Sequence, residues 1–240
     1  MYSTKKIYLS VFLIFATILT SCDKTVVGGK NFETRVIEQQ QSLQYNSIAV
    51  YDNIDVNVTS GAHAMSIYAP GNVQPYISTT VVNGVLVVKY ADGVKVLIDE
   101  EPAVLIAHPG LVAVHTNDST GQSHCDPNNT LQALRVEGDG ELEVSGLDLP
   151  QLTATVVGSG SISLRGTAQE ARYTVEGRGE IDADLISVGT LKATVNGNGE
   201  IECYAREHLD AHTKGMGEIK YQGPPTLQVT SSGHVVRDID

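Results

Sequence analysis

The sequence predicts an all-β protein wound as a parallel β-helix, with about 20 residues to each coil. Three observations carry that reading. An internal repeat has this period. Apolar and polar residues alternate inside each copy. Gly, Val, Ile and Thr are frequent while Trp is absent and Phe is rare, a profile of many short strands and turns.

The repeat is marked by five glycine pairs: Gly138-Asp139-Gly140, Gly158-Ser159-Gly160, Gly177-Arg178-Gly179, Gly197-Asn198-Gly199 and Gly215-Met216-Gly217. Their first glycines stand 20, 19, 20 and 18 residues apart. Two residues before each stand Val136, Val156, Val175, Val195 and Thr213. Four residues after stand Leu142, Ile162, Ile181, Ile201 and Ile219, and six after stand Val144, Leu164, Ala183, Cys203 and Tyr221. A spacing of two is strand alternation, so each copy offers one apolar face. Such a unit cannot bury that face alone, and stacking on its neighbours makes a continuous core. Like residues then form columns about 4.8 Å apart. The glycines are expected where the coil bends tightly or where a side chain has no room.

The repeat blurs outwards. Residues 116–135 read as a degenerate coil or loop, and Val229 to Val235 as a last copy with Ser231 in the first glycine's place. Atypical end coils are expected as caps. Upstream, Ile48, Val50, Ile54, Val56 and Val58 alternate, and Asn83-Gly84 between two Val-rich runs predicts a hairpin. Residues 45–115 therefore read as opening coils continuous with the repeats at 136–238, rather than as a separate domain.

The first 21 residues read as a lipoprotein signal peptide. Lys5 and Lys6 precede an apolar run from Ile7 to Leu19, too short for a convincing membrane span. The run ends at Leu19-Thr20-Ser21-Cys22, a lipobox that marks Cys22 for acylation. Acyl chains on Cys22 would anchor the protein to a membrane without a spanning segment. Residues 22–44 read as a lipidated, flexible tether. The expected location is the cell envelope, the outer membrane before the inner.

Removing the signal peptide takes away two lysines and no acid, so the formal charge moves from −12 to −14. An acidic chain without a basic cluster argues against nucleic acid as a partner.

The lipobox, then "YNSIAVYDNIDVNVTSG", then "VQPYISTTVVNGVLVVKY", then the repeated Val-x-Gly-x-Gly-x-(Leu/Ile), together resemble the auto-transporter adhesin "head GIN" domain family of bacterial lipoproteins. The likeness spans residues 45–238, and Val156-Val157-Gly158-Ser159-Gly160-Ser161-Ile162 comes nearest the family's repeat. The other copies place Glu where the family usually has Asp. The resemblance implies a right-handed parallel β-helix and brings no catalytic residues with it.

Glu141, Glu180, Glu200 and Glu218 share one register, with Ser161 interrupting. Like charges at this spacing repel by about 1 kcal/mol per pair in water. A bound cation such as Ca²⁺ would relieve that, as would screening by Arg178 or Lys214. His115, His124 and Cys125, or His208 and His212, are partial ligand sets without an established metal spacing. Cys125, in a polar loop, and Cys203, in an inward slot, lie four coils apart. That is roughly 19 Å at the strand spacing, too far for a disulfide.

Paired-carboxylate and serine-nucleophile constellations are not distinguishable. The expected function is therefore non-catalytic, with no cofactor: a lipid-anchored envelope protein presenting a repetitive surface, adhesin-like, to a protein or glycan partner. The alternative is a glycan-binding or glycan-cleaving β-helix, which a cleft of clustered Asp, Arg and Tyr would favour. Exposed end-coil strands would favour a homo-oligomer.

Overall fold

The structure, a computed structural model, describes residues 24–37, 44–117, 122–126 and 130–237. The expected signal peptide and Cys22 lie outside the described residues.

The chain begins with β1 (Lys24–Val27) and β2 (Phe32–Val36), then β3 (Ser47–Tyr51) and β4 (Asp55–Ser60). Next come β5 (Ala64–Pro70), β6 (Ile77–Val82), β7 (Val85–Tyr90), β8 (Val94–Leu97) and β9 (Ala103–His108). β10 (Ala113–Asn117), β11 (Gln122–Asp126) and β12 (Ala133–Gly138) lead into four long strands: β13 (Glu141–Gly158), β14 (Ser161–Gly177), β15 (Glu180–Gly197) and β16 (Glu200–Gly215). β17 (Glu218–Gln222), β18 (Thr226–Ser231) and β19 (His234–Arg237) close the chain. They form a β-solenoid of about six turns, with parallel partners about 20 residues apart.

Inside each coil the inward–outward alternation breaks where the chain turns. Along β13 the residues Leu142, Val144, Leu147, Leu149, Leu152, Ala154 and Val156 are buried. The spacing skips after Val144 and again after Leu149, and the pairing register shifts between Val144 and Leu147. The glycine pair makes the remaining corner. The Val and Leu/Ile columns expected from the repeat are all buried, from Val136 to Thr213 and from Leu142 to Ile219. Tyr221, at the end of the third column, is only partly buried because the stack is running out there.

The two glycines of a pair are needed for different reasons. Gly177 has φ +123°, which an L side chain rarely adopts, and a Cβ there would meet the Gly158 carbonyl oxygen at 2.5 Å. Gly179 has ordinary dihedrals, but its Cβ would lie 2.4 Å from Val156 Cγ1 and 2.6 Å from the Gly160 oxygen. The corner's own carbonyls then carry the stack, as in Glu180 N–H donating to Gly160 O at 3.0 Å and Glu200 N–H to Gly179 O at 3.1 Å.

The opening coils are stacked out of chain order. β3 lies between β7 and β10, and β4 lies between β9 and β11. The first coil of the chain is therefore the second of the stack. Below it, the end is closed by antiparallel strands: β6 on β7, β5 on β9, and β2 on β5. The β6–β7 hairpin turns at Asn83 and Gly84, both with positive φ, as its sequence predicts.

Several expectations are corrected. The described part of the tether is not free chain. β1 runs parallel to β8, and β2 covers the edge of β5, because both neighbours offer unpaired backbone groups. The 116–135 stretch supplies proper strands in its described parts: β10 pairs with β12, and β11 with β13. Cys125 is buried in β11, not in a loop, because it sits in one inward column between Val58 and Val144. That column goes on through Leu164, next to Val144, to the Ala183–Cys203 pair, and Cys125 and Cys203 are not joined by a disulfide. Ser231 pairs with Thr213, the column position before the glycines, and Gly233 packs over Gly217 instead.

Replacing Gly177 with Val is expected to cost about 3 kcal/mol from backbone strain and collision, lowering Tm by roughly 10 °C. Replacing Gly84 with Asn leaves Tm nearly unchanged, because Asn tolerates positive φ and nothing lies near that Cβ. Thermal unfolding followed by circular dichroism of both variants checks the contrast.

Candidate functional site

The glutamates singled out above do fall in one register. The column reads Gln122, Glu141, Ser161, Glu180, Glu200, Glu218 and His234. A second outward column lies two residues further along the same strands: His124, Glu143, Ser163, Asp182, Glu202, Lys220 and Val236. The register makes the two columns one acidic face, since parallel pairing sets each coil's outward residues directly over the next.

Counter-charge at the upper end of this face comes from Lys220. Lys220 Nζ lies 2.8 Å from Glu202 Oε1 and also pairs with Glu200. These contacts push the Lys220 pKa up and, through the hydrogen bond from Lys220, hold the Glu202 carboxyl below its ordinary value. One coil away the balance reverses. Burial, then repulsion from Glu200, raises the Glu180 pKa. Burial, then a hydrogen bond with Asp184, raises that of Asp182. At the other end of the face, Arg165 Nε lies 3.6 Å from Glu143 Oε1.

Among the described residues, Asp182, Asp184 and Glu202 bring ligand atoms within 4.8 Å of one another. An all-oxygen set of this kind suits a hard cation, but the cation would have to compete with the Lys220 ammonium for Glu202. Of the ladder glutamates, none belongs to this group.

The histidines do not assemble into a metal centre. His115 Nε2 lies 3.8 Å from Glu137 Oε2, whereas His124 Nδ1 lies 3.6 Å from Glu143 Oε2 on another face of the coil. His208 and His212 stand on one strand rather than a helix, and His212 Nε2 meets Asp210 Oδ1 at 2.7 Å. The Cys203 thiol is pushed up to about 12 by burial and donates to the Lys220 carbonyl at 3.4 Å, which suits packing rather than reactivity.

A cleft of about 460 Å³ opens where the first and second coils of the stack meet, lined by Tyr51, Asp52, Lys89, Tyr90 and Asp92 among others. Asp52 has φ +63° and its Oδ2 accepts the Tyr90 N–H at 2.8 Å, fixing the wall of the cleft. Lys89 Nζ pairs with Asp92 across the turn that follows β7. No repeat marks these residues, which is why periodicity did not find them.

Residues 44–225 match the family described as "Putative auto-transporter adhesin, head GIN domain". The chain belongs to this family. Solved structures share its fold. A crystal structure described as a "putative adhesin", from Bacteroides fragilis NCTC 9343, aligns with TM-score 0.76 and 25% identity, covering 89% of this chain and 100% of that one. A second "putative adhesin", from Parabacteroides distasonis ATCC 8503, aligns with TM-score 0.68 and 25% identity over 90% of this chain and 100% of its own. A "putative lipid binding protein" from the same organism reaches TM-score 0.71 at 23% identity, with 90% and 100% coverage. No curated protein matches the chain.

Replacing Glu180 with Gln is expected to stabilise the protein at pH 7. A carboxyl whose pKa is raised on folding is destabilising while ionised. That penalty is present above the folded pKa and vanishes once pH falls below the unfolded value of about 4.3. The gain is about 0.5 kcal/mol, since the group is largely solvated. Urea unfolding should show it at pH 7 in low salt, and show none at pH 3.5.

Proposed function

We propose that this head GIN protein is a non-catalytic, lipid-anchored protein of the cell envelope that presents its solenoid surface for binding, as an adhesin does. The supporting observation is the long face of side chains in fixed register. Outward columns repeat at about the strand spacing of 4.8 Å, so the surface is a regular ridged array held by a rigid core. Such an array matches a partner that is itself extended or repetitive, and multiple weak contacts add up along it. Family membership and the adhesin descriptions of two structural neighbours point the same way. The anchor is Cys22, which follows the apolar leader and the Leu-Thr-Ser of the lipobox. The outer membrane is the proposed destination.

A second reading rests on the cleft at Tyr51. It combines the part-exposed ring of Tyr51, a lysine and two aspartates over the buried Tyr90, though without the arginine that the sequence argument asked for. Aromatic faces beside hydrogen-bonding charges suit a sugar ring, so the binding partner under this reading is a glycan.

Protease shaving of intact cells, followed with an antibody to the C-terminal half, tests the outward orientation. Loss of the signal is expected. Survival until the outer membrane is opened would remove the adhesin reading and leave a periplasmic role. Radiolabelled palmitate should enter the wild type and not Cys22→Ser. For the cleft, Tyr51→Ala should abolish glycan-array signals shown by the wild type, with folding unchanged. Equal signals from both proteins would end the glycan reading at this site.

A further inference from the structure

The two ends of the solenoid are finished differently. At the lower end, antiparallel β5 and β6 lie against the first coil of the stack, and β2 lies against β5. At the upper end, among the described residues, β18 pairs only with β16, and β19 only with β17. β18 therefore keeps a free row of backbone N–H and C=O groups.

Its side chains are those of a coil meant to be covered. Leu227 extends the column Leu191–Leu209, and Val229 extends Ala193–Ala211. The four residues beneath are fully buried, yet Leu227 is 40% exposed and Val229 45%. Val235 likewise extends Ile201–Ile219. The apolar core thus opens to solvent at this end. The strand also lacks the usual defences of an edge: it has no charge, no internal proline and no break in its pairing with β16.

Charge points to what covers it. The protein carries 28 acids and a formal charge of −12, so two copies repel over most of their surface. From Gly223 to Arg237 there is no Asp or Glu. The glutamate column ends at His234, and the column beside it ends at Val236. Among the described residues, β18 and β19 at the upper end therefore offer a second copy no carboxylate; Asp238 and Asp240 lie outside the described residues.

We infer that the upper end is a self-association surface, where β18 of one molecule pairs antiparallel with β18 of a second across a two-fold axis. The pairing is self-complementary, as a two-fold interface requires. Side chains opposite each other in an antiparallel pair lie on the same side of the sheet. Leu227 of each copy therefore faces Val229 of the other on the inward side, and Gln228 faces Gln228 on the outward side. The sheet and the core then run through from one molecule to the next. The inference is independent of what the dimer binds.

Cysteine cross-linking of the full chain in intact cells tests this. Gln228→Cys should give a disulfide-linked species of twice the monomer mass on mild oxidation, because the two copies of residue 228 are directly opposed. Cys125 and Cys203 are buried and do not compete. Thr80→Cys, exposed in the hairpin at the other end, should give none. Purified wild type should sediment as a dimer, and Val229→Lys as a monomer with an unchanged circular dichroism spectrum, since that side chain is already half open in one copy. A monomeric wild type, a dimer unaffected by Val229→Lys, or equal cross-linking from Thr80→Cys would overturn the inference. So would a cross-link from residue 228 to a different protein, which would make that protein the occupant.

Discussion

Parallel stacking at one residue per rung is the constraint on which the rest of the molecule depends. Each coil donates its backbone groups to the next, about 4.8 Å away. Whatever stands at a position in one coil therefore has the same position of the next coil directly above it. Inward, this rewards identical apolar residues, and Leu142, Ile162, Ile181, Ile201 and Ile219 form an unbroken buried column. At the corner it leaves no space for a Cβ, since the carbonyl of Gly158 occupies the place where a side chain of Gly177 would go. The repeat is thus a packing rule written once per coil.

The same rule governs charge, with the opposite sign. Register that stacks isoleucine on isoleucine also stacks Glu180 on Glu200 on Glu218. In a helix or a loop, such groups could turn away from one another; here the strand spacing holds their Cβ atoms in line. Lys220 takes up part of the cost by joining Glu200 and Glu202, while burial, with repulsion between neighbouring carboxylates added to it, raises the pKa values of Glu180 and Asp182. The acidic face is a direct product of the fold and not a pocket added to it. That is why the function proposed for it is contact with an extended partner.

A stack built on this rule has ends, and an end exposes both backbone groups and core. The lower end is closed by reversing strand direction, because an antiparallel strand can cover an edge through a short turn. Asn83 and Gly84, with positive φ, supply one such turn. The polar segment before Tyr45 is recruited to the same task, which explains why β1 and β2 are ordered strands despite a composition typical of linkers.

The sequence by itself determined the solenoid, its period, its inward columns and its glycine corners. These are local quantities: alternation by two and recurrence by about 20 survive in one dimension. It also located the ladder of Glu141, Glu180, Glu200 and Glu218, because that ladder is periodic. Only the tertiary structure decided the rest. The insertion of β3 and β4 between β7/β9 and β10/β11 joins residues far apart in the chain, and no periodic signal marks it. The burial of Cys125 depends on Val58 and Val144 above and below it, not on its polar neighbours. Lys220 becomes the counter-ion of the acidic face because the coil beneath places Glu200 and Glu202 within its reach. A repeating sequence announces what each coil shares, while the contacts that differ between coils arise from non-local pairing and appear only once the chain is wound.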